Sequence, residues 1–140
     1  MKILIINGPN LNKLGEREPS IYGKETMQNC LEKWQRAYPK IELTYFQSNV
    51  EGYLIDRIQQ AEKDGTAGIV FNAGAYTHTS VALHDCIRSV SVPVVEIHIS
   101  NVLAREEFRH TSLIAAACKG SIAGFGMNSY RLGIESFLMG

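Results

Sequence analysis

The chain carries little of what would tie it to a charged polymer, a membrane or an oxidising compartment. It has no excess of either charge, since 14 Lys and Arg balance 14 Asp and Glu. Its lysines, Lys2, Lys13, Lys24, Lys33, Lys40, Lys63 and Lys119, are scattered and form no basic run. Binding to nucleic acid or to an anionic membrane surface wants clustered basic charge, so neither partner is expected. The only cysteines, Cys30, Cys86 and Cys118, are odd in number and far apart. They offer no disulfide framework and no paired metal-ligand spacing, which points to a reducing compartment and to no metal. No run approaches the roughly 20 apolar residues that a membrane span needs. The opening "MKILIING" stops at Asn7-Gly8-Pro9, too soon for the apolar region of a secretory signal. A soluble cytoplasmic protein is expected.

What the chain does have is alternation of element type. At 140 residues it is long enough for one domain, residues 1–140, with a real hydrophobic core. "ILII" is a continuous β-branched and leucine run, as in a strand covered on both faces. "GIVF" at 68–71, "VPVVEIHI" at 92–99 and, more weakly, "GSIAGF" at 120–125 read the same way. "IELTYF" at 41–46 alternates more and is placed nearer a sheet edge. Between these runs the period turns helical. Met27, Leu31, Trp34 and Tyr38 mark one helix, and Leu54, Ile55, Ile58 and Ala61 a second, with Ser48 to Glu51 as its capping box. Val81, Leu83, Cys86, Ile87 and Val90 outline a third; Leu113 to Cys118 and Leu132 to Met139 are further helical candidates. Strand and helix in alternation predict an α/β fold: a flavodoxin-like, doubly wound, five-stranded parallel sheet in three α/β/α layers.

Open parallel sheets bind ligands outside the carboxyl ends of their strands. There the first strand delivers "NGPN", the third "NAGAYTHTS" and the fourth "EIHISN". Side chains alternate along a strand, so Glu96, His98 and Ser100 share a side. A lone buried histidine is usually a satisfied structural group. A carboxylate beside an imidazole at a strand's carboxyl end, with a hydroxyl in line, instead orients the ring and favours its charged form, which suits a general acid. Asn72 and Gly74 allow close backbone approach, and the N–H groups of the helix that follows favour an anion. At least one of Thr77, Thr79 and Ser80 should cap that helix, leaving His78 to meet a carboxylate or hydroxyl. The stretch matches neither dinucleotide nor Walker glycine pattern. Arg105 and Arg109 are four apart; if helical they share a face and clamp a carboxylate, and if not they form a solvated turn paired through Glu106. Periodicity alone puts His84 and Asp85 on the surface. Glu96 and His98 are too sparse for a metal site.

The long loop "NGPNLNKLGEREPSIYG" leaves the first strand toward the same crevice and carries Asn10, Arg17 and Tyr22. A phenol, with an ordinary pKa near 10, is a weak acid at neutral pH. A neighbouring guanidinium favours the phenolate by about one to three units, enough to make Tyr22 a base for a proton beside a carbonyl. Asn10 can hold a water or support the oxyanion, and His98 can protonate a leaving oxygen. Base, oxyanion support and acid together describe an elimination of water.

These stretches, with "QSNVEGYLIDRIQQA" and "EIHISNVLAREEFRHTS", resemble the type II 3-dehydroquinate dehydratases along essentially the whole chain. The resemblance implies a cofactor-free anti elimination that turns 3-dehydroquinate into 3-dehydroshikimate through an enolate, in the shikimate pathway. It makes Tyr22 the base, Arg17 its activator, Asn10 the holder of the water at the enolate, and His98 the proton donor oriented by Glu96. It also implies substrate contacts at Asn72, Gly74, Ala75, His78, Ile99 through its backbone, Ser100 and Arg109, with Arg105 as an auxiliary or interface residue. Asp85 matches a contact that the family brings from a neighbouring subunit, which implies trimers assembled into a homododecamer. Lys13, Val50 and Tyr53 depart from the family's usual residues, none at a catalytic position.

Three other readings are weaker. A lysine Schiff base needs a desolvated lysine, and the loop's Lys13 and Lys24 have no apolar setting. A receiver needs acids where Asn7 and Asn72 stand. A flavodoxin-like binding domain without dehydratase activity, such as a flavin carrier, would be yellow when purified.

Overall fold

The computed structural model describes residues 1–16, 20 and 25–139. Arg17, Tyr22 and Lys24 of the opening loop lie outside the described residues. Among the described residues five strands, β1 (Lys2–Asn7), β2 (Glu42–Gln47), β3 (Gly68–Asn72), β4 (Val94–His98) and β5 (Gly120–Ala123), alternate with four α-helices. These are α1 (Met27–Ala37), α2 (Glu51–Ala61), α3 (Val81–Ser89) and α4 (Asn128–Ser136). All strand pairs are parallel, in the order β2-β1-β3-β4-β5. This is the flavodoxin-like order, and its direction of progression reverses between β1 and β3.

The aliphatic runs form central strands because both of their faces are needed. Ile3, Ile5, Val70, Val95 and Ile97 pack with Leu31 and Trp34 of α1 and with Tyr130 and Ile134 of α4. Leu4, Ile6, Ile69, Phe71 and Val94 face the other way, onto Leu54 and Ile58 of α2 and Leu83 and Ile87 of α3. Each such side chain contributes about 1.5–3 kcal/mol by leaving water, so a register slip in β1 or β3 is strongly disfavoured. The Trp34 and Tyr130 rings lie 5.4 Å apart, tilted by 33°.

β2 lies at an edge, as its alternation implies. β5 occupies the other edge and is not the doubly covered strand that "GSIAGF" implied: only Ile122 is half-buried, while Gly120, Ser121 and Ala123 are exposed. The capping box at Ser48 does not form either. Ser48 N–H bonds to Asn7 O at 3.1 Å and so extends the ladder of β2. Its Oγ accepts from Val50 N–H at 3.0 Å, and the helix starts at Glu51. Leu113 to Cys118 forms only the 3-10 turn Ala115–Ala117. Its flanks are tied elsewhere, Leu113 N–H to Thr77 O at 2.8 Å and Lys119 N–H to Val94 O at 2.7 Å, so no helix can propagate. α4 begins four residues before Leu132 and ends at Ser136. Val81 of the predicted apolar face of α3 is 62% exposed, and Leu83, Cys86 and Ile87 carry that face.

Where β1 and β3 end, their exits touch. Gly8 N–H donates to Asn72 O at 2.8 Å, and a Cβ on Gly8 would lie 2.4 Å from Ala73 O and 2.7 Å from its carbonyl carbon. Both obstacles are backbone, so neither can rotate away. Gly8→Ala is expected to cost about 1–3 kcal/mol, read as a lower urea midpoint. Gly52→Ala, where an added Cβ meets nothing within 4 Å, is the matched comparison and should be neutral or stabilising because Gly is unfavourable inside a helix.

Candidate active site

The reversal between β1 and β3 opens a cleft at the carboxyl ends of the strands. Pro9, Asn10 and Leu11 line it from β1, Asn72, Gly74, Ala75 and His78 from β3, and His98, Ile99 and Ser100 from β4. Val102, Arg105 and Arg109 close the remaining side. Of the predicted site residues within the described part of the chain, all but Asp85 and Glu96 line this cleft. Glu96 stands directly behind it, and Asp85 is exposed on α3, away from the cleft of its own chain.

Asn10 reaches the cleft through an unusual backbone. Its φ of 68° makes it the one non-glycine residue with positive φ among those described, a conformation that asparagine tolerates better than most residues. Asn10 N–H donates to Asn49 Oδ1 at 2.9 Å, which ties the start of the loop to the segment after β2. Gly74, at φ 60°, turns the chain out of β3. Its N–H is taken by Asn72 Oδ1 at 3.1 Å, and α3 is capped by Ser80, whose Oγ accepts from Leu83 N–H at 2.9 Å. The expected anion site at a helix N-terminus therefore does not line the cleft. The 3-10 turn Gly74–His78 stands between.

Glu96 and His98 share a side of β4, as alternation along the strand predicts. Glu96 is 1% exposed and His98 9%, and His98 Nε2–H donates to Glu96 Oε2 at 2.7 Å. With Nε2 engaged, Nδ1 is the ring nitrogen left for a ligand. His78 stacks on this ring at 6.4 Å between centroids. Its Nδ1–H donates to Thr111 O at 2.8 Å, so its Nε2 is the free atom.

Burial pushes the Glu96 carboxyl up, but hydrogen bonds from His98, Ser121 and Ser112 outweigh it and hold the group below its ordinary 4.5. A carboxyl lowered by folding adds stability above its unfolded value, and that stability is lost as pH falls through the folded value. Glu96→Gln should therefore be less stable than the native chain at neutral pH, with the gap closing below about pH 4.5. Urea midpoints measured from pH 7 to pH 3 test this; a constant gap would contradict it.

The two arginines do not sit on an α-helix. Arg105 is extended (φ −103°, ψ −166°) between the 3-10 turns Val102–Ala104 and Glu107–Arg109. Glu106 pairs with both, 2.9 Å from Arg109 Nε and 3.8 Å from Arg105 Nε, as the alternative reading had it, yet both arginines also line the cleft. Sequence reading missed the polar group beneath the floor. Tyr130 OH donates to Asn7 Oδ1 at 2.7 Å and accepts from Asn72 Nδ2 at 3.0 Å. Burial pushes the Tyr130 phenol well up, so it remains a neutral link between the ends of β1 and β3.

The family model for class II dehydroquinases matches residues 1–138. A 3-dehydroquinate dehydratase of Rhizobium etli is 54% identical over 136 residues, covering 96% of this chain and 93% of its own. The crystal structure of the type II dehydroquinase from Butyrivibrio crossotus superposes with a TM-score of 0.95 at 48% identity, covering 99% of this chain and 97% of that one. The type II dehydroquinase from Propionibacterium acnes gives a TM-score of 0.93 at 36% identity with the same coverage. Matched along nearly its full length in sequence and in fold, the chain belongs to the class II dehydroquinase family.

Proposed function

We propose that the chain removes water from 3-dehydroquinate to give 3-dehydroshikimate, without cofactor or metal, by anti elimination through an enolate. The observation that carries the reading is His98, held through Nε2 by a buried carboxylate and turned toward a cleft that Asn10, Asn72 and Arg109 also line. Tyr22, activated by Arg17, takes the proton beside the ketone, and the negative charge moves onto the carbonyl oxygen. Asn10 holds the water that supports that oxygen. His98 then donates a proton from Nδ1 as the hydroxyl departs, and the enone forms. The guanidinium of Arg109 pairs with the substrate carboxylate, while Asn72, His78, Ile99 N–H and Ser100 hold its hydroxyls and carboxylate, and Gly74 and Ala75 shape the wall. Asp85 reaches a neighbouring subunit's cleft in a trimer, four of which assemble into a dodecamer; Arg105 supports the clamp. The product feeds aromatic biosynthesis in the cytoplasm.

The test is ultraviolet absorbance after mixing purified protein with 3-dehydroquinate alone. Growth of the conjugated enone signal supports the reading. A flat trace from folded protein would leave the fold intact and overturn the activity.

A further inference from the structure

Glu96 holds more than the imidazole. Its Oε1 accepts from Ser121 Oγ at 2.6 Å, and its Oε2 accepts from Ser112 Oγ at 2.7 Å beside the His98 bond. Three donors converge on one buried carboxylate from three places: β4 itself, the facing position of β5, where Ser121 pairs with Glu96 in register, and the segment after Arg109. Ser112 is itself fixed, because its Oγ accepts from Ile114 N–H at 3.3 Å and Ala115 N–H at 3.1 Å. Its remaining proton therefore points at Glu96. A carboxylate on a flexible side chain can otherwise turn about its last torsion and offer the ring a different oxygen or none.

We infer that Ser112 and Ser121 are positioning residues that lock the Glu96 carboxylate against Nε2 of His98 and so keep Nδ1 as the nitrogen facing the substrate. Neither serine lines the cleft, so neither touches the reacting atoms. Their action passes through Glu96. The groups facing this carboxylate are His98 on its own strand, Ser121 on β5, Ser112 on the connecting segment and the thiol of Cys118, which burial and the Glu96 charge keep protonated.

The catalytic part of this inference rests on the dehydratase reading; the positional part does not, and the experiment separates them. Ser121→Ala is the cleaner variant, since it removes a bond to Glu96 and leaves the Ser112 hydroxyl on the N–H groups of Ile114 and Ala115. Two quantities are read on it: solvent exchange of the His98 Nε2-bound proton by NMR, and kcat and KM for 3-dehydroquinate. Exchange should quicken by about tenfold and kcat should fall by about tenfold, the loss of one hydrogen bond to a charged group. KM should stay within about twofold because no substrate contact changes. Ser121→Thr, which keeps a hydroxyl, should recover most of both losses. Ser112→Ala with Ser121→Ala should exceed either alone. Native exchange and native kcat in the folded double variant would overturn the inference while leaving the dehydratase standing. Faster exchange in a protein that never turns over 3-dehydroquinate would support the positioning and overturn the activity.

Discussion

Tyr22→Phe is expected to lower kcat by more than about 10³-fold while leaving KM within a fewfold of native. A positioned general base supplies about 10²–10⁴ of rate, and phenylalanine keeps the ring while removing the only atom that can take the proton. Few groups could replace it. Glu96 is buried behind the cleft and already accepts three hydrogen bonds, His98 is assigned the opposite proton transfer in the proposed mechanism, and His78, with Nδ1–H given to Thr111 O, has only Nε2 left as a base at the cleft. The variant should still bind substrate, because the proposed contacts at Asn72, His78, Ser100 and Arg109 lie on other elements. Steady-state kinetics with a separate equilibrium binding measurement check this. Near-native turnover would remove the phenolate from the mechanism, and a collapse of binding with unchanged kcat would make Tyr22 a contact and not a base.

Much of this site was legible because each part of it was short-range. β1 and β3 announce themselves as aliphatic runs since both of their faces are buried, and the period-2 rule alone puts Glu96 and His98 on one side of β4. What was not legible depends on partners distant in sequence. Ser121 meets Glu96 from 25 residues away, through ladder register, and nothing in "GSIAGF" marks its serine as a donor to a carboxylate. Tyr130 reaches Asn7 across 123 residues, and it lies before the helical stretch that the sequence suggests at Leu132 to Met139. The arginine pair shows how far spacing alone can go. Their spacing left two readings open, a shared helix face or a turn paired through Glu106; the Glu106 pairing forms, Arg105 is extended, and the residues reach the cleft from beside two short turns. Ser48 failed as a cap for a similar reason: a tertiary bond, its N–H to Asn7 O, won over the local motif. Tyr22 and Arg17 are proposed from the chemistry of an overloaded loop together with the family resemblance, and they lie outside the described residues.

His98→Ala should lower kcat by about 10²–10³-fold, the ordinary worth of a general acid, and its chemistry gives a sharper test than the loss itself. In the native chain the ring is held by Glu96 through Nε2, so a proton carried on Nδ1 can be delivered to the departing hydroxyl without turning the ring. Alanine removes the donor and also leaves a 1% exposed carboxylate one partner short. Two hydroxyls still hold that carboxylate, so the fold should survive with a modest loss of stability. A substrate analogue with fluoride at the leaving position departs without protonation. It should therefore recover most of the lost rate in His98→Ala and almost none in Tyr22→Phe, where the proton beside the ketone must still be taken. Comparison of the two variants on the two substrates assigns the two proton transfers to two residues. Recovery of Tyr22→Phe by fluoride, or failure of His98→Ala to recover, would mean that the acid and base are exchanged or that the imidazole serves only to hold the substrate.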